Sequence, residues 1–187
     1  MTAWVIGNGE SRIPINLDLL SNKIGCNAVH RDTHIDHLIC VDRKMVEESL
    51  PKKDKTKIYT RSDWASHYKV NLVPELPYQG TQRPDDPWHW GSGPFAVLLG
   101  AMLFDKINLL GFDLHSKNNK VNNVYKNTAN YSNADKRPVD PRYWIYQISK
   151  VFECYPRKQF TIYNEEDWII PDIWKKDNVM LDSISNV

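Results

Sequence analysis

The chain has 187 residues, 24 of them basic and 23 acidic, for a net charge of +1, and 41% are hydrophobic; this is enough for one core of ordinary globular composition and excludes a general nucleic-acid binder, which carries a basic excess or stripe. Three cysteines, Cys26, Cys40 and Cys154, without CxxC spacing, argue against a disulfide framework and fit a reducing compartment. No apolar run approaches about 18 residues, and MTAWVIGNGE lacks the basic region and apolar stretch of a signal peptide, so a cytoplasmic protein without a membrane span is expected.

In chain order, AWVI (3–6) predicts a strand that runs at once into Gly7-Asn8-Gly9. PINLDLLSN follows with Pro14 at a first helical position. HLICVD (37–42), KIYT (57–60) and VNLV (70–73) are short β-branched runs that predict strands. Between the first two, RKMVEESL (43–50) predicts a helix capped by Asp42. The basic run PKKDKTK (51–57) carries an acid and reads as a solvated loop. Residues 74–92 hold four prolines and read as irregular. GPFAVLLGAMLF (93–104) is apolar all round, the mark of a buried helix. INLLGFD (107–113) is a further strand, and residues 114–139 are polar and rich in asparagine. Loops this long in a compact domain are usually functional or disordered. DPRYWIYQISKVFECY (140–155) predicts a helix with Asp140 as cap and Trp144, Ile148, Val151 and Tyr155 on one face. QFTIYN (159–164) is the last predicted strand, and residues 165–187 read as a C-terminal extension packed by Trp168 and Trp174. Strands alternating with helices predict parallel βαβ units and an α/β fold.

Ligands of open α/β sheets bind at the carboxyl ends of strands. Three loops fall there: GNGES (7–11), GCNAVHRD (25–32) and GFDLHSK (111–117). A fourth, WHWGSG, opens the buried helix at 93; a Gly-Ser-Gly turn at a helix start directs N–H groups and the positive dipole end outward, which suits phosphate. Each glycine pair alone reads as a tight turn or cap, whereas four such loops in one α/β pattern point to a ligand. GNGES is no dinucleotide fingerprint, since GxGxxG needs a third glycine near Arg12, and neither a Walker pattern nor a DxD pair occurs. His34 and His37 flank Asp36, but i, i+3 ligation needs a helix where HLICVD reads as strand, so no metal is expected.

These loops, in this order, resemble those of the bacterial sialyltransferase family that uses CMP-sialic acid. That family has a Gly-Asn-Gly-Pro-Ser loop after its first strand, matched by Gly7-Asn8-Gly9-Glu10-Ser11. An asparagine follows the next strand, as Asn27 does; a Ser-Gly pair opens a buried helix, as Ser92-Gly93 do; and a later strand ends in Gly-x-Asp, here Gly111-Phe112-Asp113. The resemblance covers roughly residues 3–163. It implies a single Rossmann-like domain (1–164) with a mostly parallel sheet and helices on both faces. It also implies a CMP or CMP-sugar ligand, a glycan acceptor and no metal cofactor. In that family the asparagines and the Ser-Gly turn contact CMP, tyrosines bond the leaving phosphate, and a later histidine takes the proton of the acceptor hydroxyl. The chemistry is physical: departing negative charge must meet hydrogen-bond donors, and a sugar hydroxyl needs a base.

The chain departs from the pattern at several points. His115 stands where the first phosphate-binding tyrosine is expected, with Tyr125 or Tyr131 to supply the second. NADKRPVDPRYW has no histidine, leaving His115, His89 or Asp140 as substitute bases. Asp140 reads equally as a helix cap and His89 as packed between two tryptophans. Glu10 replaces proline, and a carboxylate repels phosphate unless it points away. The chain also lacks much of the family's acceptor lid. Three readings follow: a small CMP-sugar-dependent transferase, a nucleotide-sugar-binding module that has lost its base, or a structural or interaction protein. The last rests on the aromatic, proline-rich PELPYQGTQRPDDPWHW and on the likeness of compact domains of this kind to phage proteins. The donor sugar, the acceptor and the oligomeric state, a homo-oligomer included, stay open.

Overall fold

Strands buried on both faces are the signature of a parallel sheet, and the runs AWVI, HLIC and INLL are largely buried in that way, whereas VNLV has no buried residue. The computed structural model describes residues 1–115 and 119–187. Its strands are β1 (Thr2–Ile6), β2 (Lys23–Cys26), β3 (His37–Ile39), β4 (Lys57–Thr60), β5 (Asn71–Leu72), β6 (Lys106–Leu110), β7 (Gln159–Asn164) and β8 (Val179–Ser183). All neighbours pair in parallel, in the order β5-β4-β3-β2-β1-β6-β7-β8. The chain winds outward from β1 to β5, returns to place β6 beside β1, and winds outward the other way. The fold is α/β and Rossmann-like, with one reversal of strand order, between β1 and β6.

Four α-helices occur among the described residues: α1 (Arg43–Ser49), α2 (Ser62–Tyr68), α3 (Ser92–Leu103) and α4 (Arg142–Cys154). On one face α3 and α4 pack on Val5, Ile24, Ile107, Leu109 and Phe160. On the other, α1 and the turn Asn27–Arg31 cover Ile6, Leu38 and Leu110. α3 is buried over most of its surface, as its all-round apolar sequence predicts. Gly100 allows its close approach to the sheet, since a Cβ there would stand 3.0 Å from a Val5 methyl. No helix of the described residues is long and apolar enough to cross a membrane.

The local departures have physical causes. The segment from Pro14 is not a helix but holds a single 3-10 turn, Leu17–Leu19. The Asn16 side chain accepts from Asp18 N–H (3.1 Å), and the Lys23 ammonium donates to the Leu17 carbonyl (3.1 Å), so side chains take the groups a helix would use. VNLV contributes only two residues to the sheet edge, and HLICVD only three. Residues 165–187 add β8 to the sheet and set Trp174 into the core, where its ring meets Phe152 edge-on at 5.6 Å and its Nε1 donates to the Ile145 carbonyl (2.8 Å).

Trp174→Ala therefore opens a core cavity and removes one hydrogen bond to the Ile145 carbonyl. It should lower the unfolding free energy by about 3–5 kcal/mol, read from denaturant melts; a loss under about 1 kcal/mol would show that the C-terminal residues pack without supporting the core.

Candidate functional site

All eight strands point their carboxyl ends to one edge, and the crevice of such a sheet lies where strand order reverses. Here that is the mouth between β1 and β6. Gly7 N–H donates to the Leu110 carbonyl (2.7 Å) and Gly9 N–H to the Gly111 carbonyl (2.9 Å), so the two departing chains run together. A Cβ on Gly7 would lie 2.4 Å from the Gly111 oxygen, and one on Gly9 2.4 Å from the Asp113 carboxyl carbon. The glycines of GNGES thus serve first to pack the loop against β6. Asp113 is buried and spends its carboxylate on that loop: it accepts from Ser11 N–H (2.9 Å) and Ser11 Oγ (2.5 Å). Its carbonyl accepts from Trp168 Nε1 (3.0 Å). Ser11 and Asp113 are accordingly a lock, not groups open to a ligand.

One strand further, Asn27 sits at φ +52°, a left-handed conformation that asparagine tolerates better than most residues. Its Oδ1 accepts from Ser92 Oγ (2.8 Å), which in turn accepts from Val41 N–H (3.1 Å). The end of β2, the exit of β3 and the start of α3 are tied by these two bonds. At Gly93 an added Cβ would make only an ordinary 3.5 Å contact with Phe112.

Asn8 faces the segment after β6. Its Nδ2 donates to Tyr131 Oη (3.1 Å) and its carbonyl accepts from Val124 N–H (2.8 Å), while its Oδ1 is buried without a partner among the described residues. Tyr131 Oη also accepts from Ala28 N–H (3.3 Å). A phenol has two acceptor positions and one proton, so with both acceptor positions used Tyr131 keeps its proton to donate. With the Asn8 amide turned over, Tyr131 would donate to it and the unspent group would be the Asn8 NH₂. Burial pushes the Tyr131 hydroxyl above the ordinary phenol range and holds it protonated.

Residues 119–139 roof this mouth. Arg31 grips Glu48 through two bonds (2.6 and 2.7 Å), donates to Thr128 Oγ1 (2.8 Å) and the Ala129 carbonyl (3.0 Å), and lies over the rings of Tyr125 and Tyr131. Buried Arg12 donates to the Gly7 carbonyl (2.9 Å), Asp32 (2.8 Å) and Tyr125 Oη (2.7 Å). Tyr125 Oη donates to Asp32 (2.5 Å), and burial pushes that phenol upward too. Tyr125 thus serves the roof, whereas Tyr131 reaches the mouth. Glu10 turns to Lys126 (2.5 Å), and its N–H donates to Asn122 Oδ1 (2.8 Å), so its charge is neutralised beside the loop. The thiols here are inert: burial pushes Cys26 up to about 12, and Cys40 higher than its ordinary value.

The three candidate bases lie apart. His115 is exposed two residues beyond Asp113, its N–H bonded to the Asp113 carbonyl (2.8 Å) and its carbonyl to Asn122 Nδ2 (3.2 Å). His89 Nε2 accepts from Arg83 Nε (3.4 Å), and its ring meets Tyr143 edge-on. Asp140 accepts from Arg142 N–H (3.0 Å) and Nε (2.6 Å), bonds that hold its carboxyl below the usual range; the cap of α4 is not the expected Asp140 but Pro141, whose carbonyl takes the first helical N–H, that of Ile145. His34 pairs with Asp36 (3.4 Å) and His37 with Tyr59 (3.0 Å); among the described residues no three such side chains gather as metal ligands. The buried Arg12–Asp32–Tyr125 network and the Arg31–Glu48 latch are absent from the sequence reading. The dipeptide Arg31-Asp32 inside GCNAVHRD is the only trace of them. Comparison with protein-family models, curated proteins and solved structures finds no match for this chain.

Gly7→Ala should cost about 1–3 kcal/mol by overpacking, because the atom in its way is backbone. Gly93→Ala should stay within about 0.5 kcal/mol of the parent. Chemical denaturation of both variants checks the contrast, and equal effects would remove the packing role assigned to Gly7.

Proposed function

We propose that the carboxyl edge of the sheet binds a nucleotide sugar of the CMP type and that the chain is a sialyltransferase-like glycosyltransferase. The observation that carries this reading is the meeting of Asn8 and Tyr131 at the reversal of strand order, with the Asn27–Ser92 pair one strand further along the same edge, Asn8 Oδ1 unpaired among the described residues and the Tyr131 proton unspent. Four elements bring neutral donors and acceptors to the same edge of the sheet. Such a set grips ribose hydroxyls and phosphate oxygens without burying a net charge. The start of α3 adds N–H groups and a positive dipole end.

For transfer, the bond between the anomeric carbon and the phosphate oxygen breaks, the acceptor oxygen bonds to that carbon, and its proton passes to a base. Tyr131, held protonated, is suited to donate to the departing phosphate. His115, beside Asp113, is the base nearest the crevice along the chain. A groove of about 310 Å³ beside Arg12 and Asp32 carries Asn16 and Asp18 among Ile13, Ile15 and Val124. Carboxylates and an amide over an apolar floor suit a sugar acceptor, whose hydroxyls lie around an apolar ring face. A second reading, binding without transfer, is favoured by the engagement of Asp140 with Arg142 and of His89 with Arg83, which leaves His115 without a backup.

Thermal unfolding with CMP, CDP, UDP, GDP and no nucleotide tests the reading. A ligand at about 100 times its Kd adds about 2.7 kcal/mol, a rise of about 5–11 °C for a chain of this size. CMP should give that rise, and Tyr131→Phe should reduce it. No rise with any nucleotide would remove the proposed site. His115→Ala should abolish sugar transfer while leaving the CMP rise intact; undiminished turnover would release His115 from the role of base.

A further inference from the structure

Trp88 is 57% exposed, and large aromatic side chains are seldom left so open without a partner. It is also held still. Its N–H donates to Asp86 Oδ1 (2.9 Å) in a 3-10 turn begun by Pro87. Its carbonyl accepts from Arg61 Nη2 (2.8 Å), and the same nitrogen donates to the Trp90 carbonyl (2.9 Å). The Arg61 guanidinium carbon lies 4.9 Å from the Trp88 ring centroid, covering one side of the indole. Arg61 Nε is buried and has no hydrogen-bond partner among the described residues. An aromatic plate backed on one side by a cation is thus fixed before any ligand arrives.

Its position follows from the topology. Arg61 directly follows β4, and β4, β3, β2 and β1 are successive neighbours. Their carboxyl ends carry, in that order, Arg61 with Trp88, Val41 with Ser92, Asn27, and Asn8. Three strand spacings cover about 14 Å, a length that accommodates an extended nucleoside monophosphate bearing a sugar. We infer that Trp88, braced by Arg61, is the stacking platform for the pyrimidine base of that nucleotide, so that the ligand lies along the sheet edge with its base over β4 and its phosphate toward β1. A planar delocalised ring stacks on indole whatever its substituents, and the face of Trp88 away from Arg61 is the one open to it. This inference rests on the nucleotide reading above and adds the direction in which the ligand lies.

Isothermal titration of the full chain with CMP and with ribose 5-phosphate separates the two claims. Loss of a base–aromatic stack weakens binding by about 5- to 150-fold. Trp88→Ala should weaken CMP by that factor and leave ribose 5-phosphate, which has no base, unchanged. Trp88→Phe, which keeps an aromatic face, should recover most of the CMP affinity. CMP affinity within twofold of the parent in Trp88→Ala would overturn the platform while nucleotide binding stood. An equal loss for both ligands would overturn it as well, since Trp88 would then act on the shape of the edge rather than on the base. No binding of CMP by the parent chain would overturn the nucleotide reading and the platform together.

Discussion

The arrangement at the carboxyl edge depends on how closely the chain leaving β1 approaches the chain leaving β6. Gly7 and Gly111 are in backbone contact, and no side chain larger than hydrogen fits at Gly7. Gly111 turns through φ +73° to make the contact, a conformation that costs a residue with a Cβ. The buried Asp113 carboxylate then draws in Ser11 through two hydrogen bonds. A charge of this kind is stable in a protein interior only when its acceptor positions are filled, so the loop cannot swing away from β6 without exposing a costly group. The loop at 7–12 is therefore rigid. The direction of Asn8, the one side chain of that loop that reaches the mouth, is set by packing rather than by a ligand.

The roof is held differently. Arg31 makes a forked pair with Glu48 and spends its remaining donors on Thr128 and the Ala129 carbonyl. Asn130 adds a bond to the same carboxylate (2.9 Å). Forked guanidinium–carboxylate contacts have defined geometry, yet these groups sit near solvent, where such pairs contribute little stability individually. Residues 119–139 are joined to the rest of the chain by many polar contacts and few buried apolar ones, Tyr125 apart. Segments with that balance lie at the low-stability end of a fold. The mouth thus combines a rigid floor with a roof that is ordered by hydrogen bonds.

The α/β alternation was legible because buried parallel strands and an all-apolar helix leave strong sequence patterns: AWVI, INLLGFD and GPFAVLLGAMLF each fall on the element expected of them. β2, α2 and β8 were not legible as elements. KIGC is four residues interrupted by glycine, SDWASHY buries only Ala65, and VMLDS lies at the sheet edge with Met180 and Leu181 exposed. Position in the sheet, not local pattern, makes strands of the first and last. At the site, the reading placed the loops at 7–11, 25–32 and 111–113 at one edge, because loop position follows from strand direction alone. It could not see that Asp113 locks the loop rather than faces outward, since whether a carboxylate is free is decided by a contact 102 residues away. Nor could it see Arg12 and Arg31, whose partners Tyr125, Asp32, Glu48 and Thr128 lie far from them in sequence.

The proposed binding and the proposed transfer have unequal support in the structure, for a chemical reason. Binding draws on polar groups from the ends of β1 and β2, the start of α3 and the roof, so no single side chain decides it. Transfer needs one group that takes a proton, and a base must be both unpaired and close. Asp140 is not unpaired: two bonds from Arg142 stabilise its charged form, which lowers its affinity for a proton. The imidazole Nε2 of His89 already accepts from Arg83, so the lone pair that would take a proton is engaged. His115 is exposed two residues beyond the Asp113 lock, and no contact described engages its ring. A chain that lost His115 would keep every contact proposed for the nucleotide. The proposed transfer and the proposed binding are therefore separable, since the first would depend on a single side chain that the second does not use.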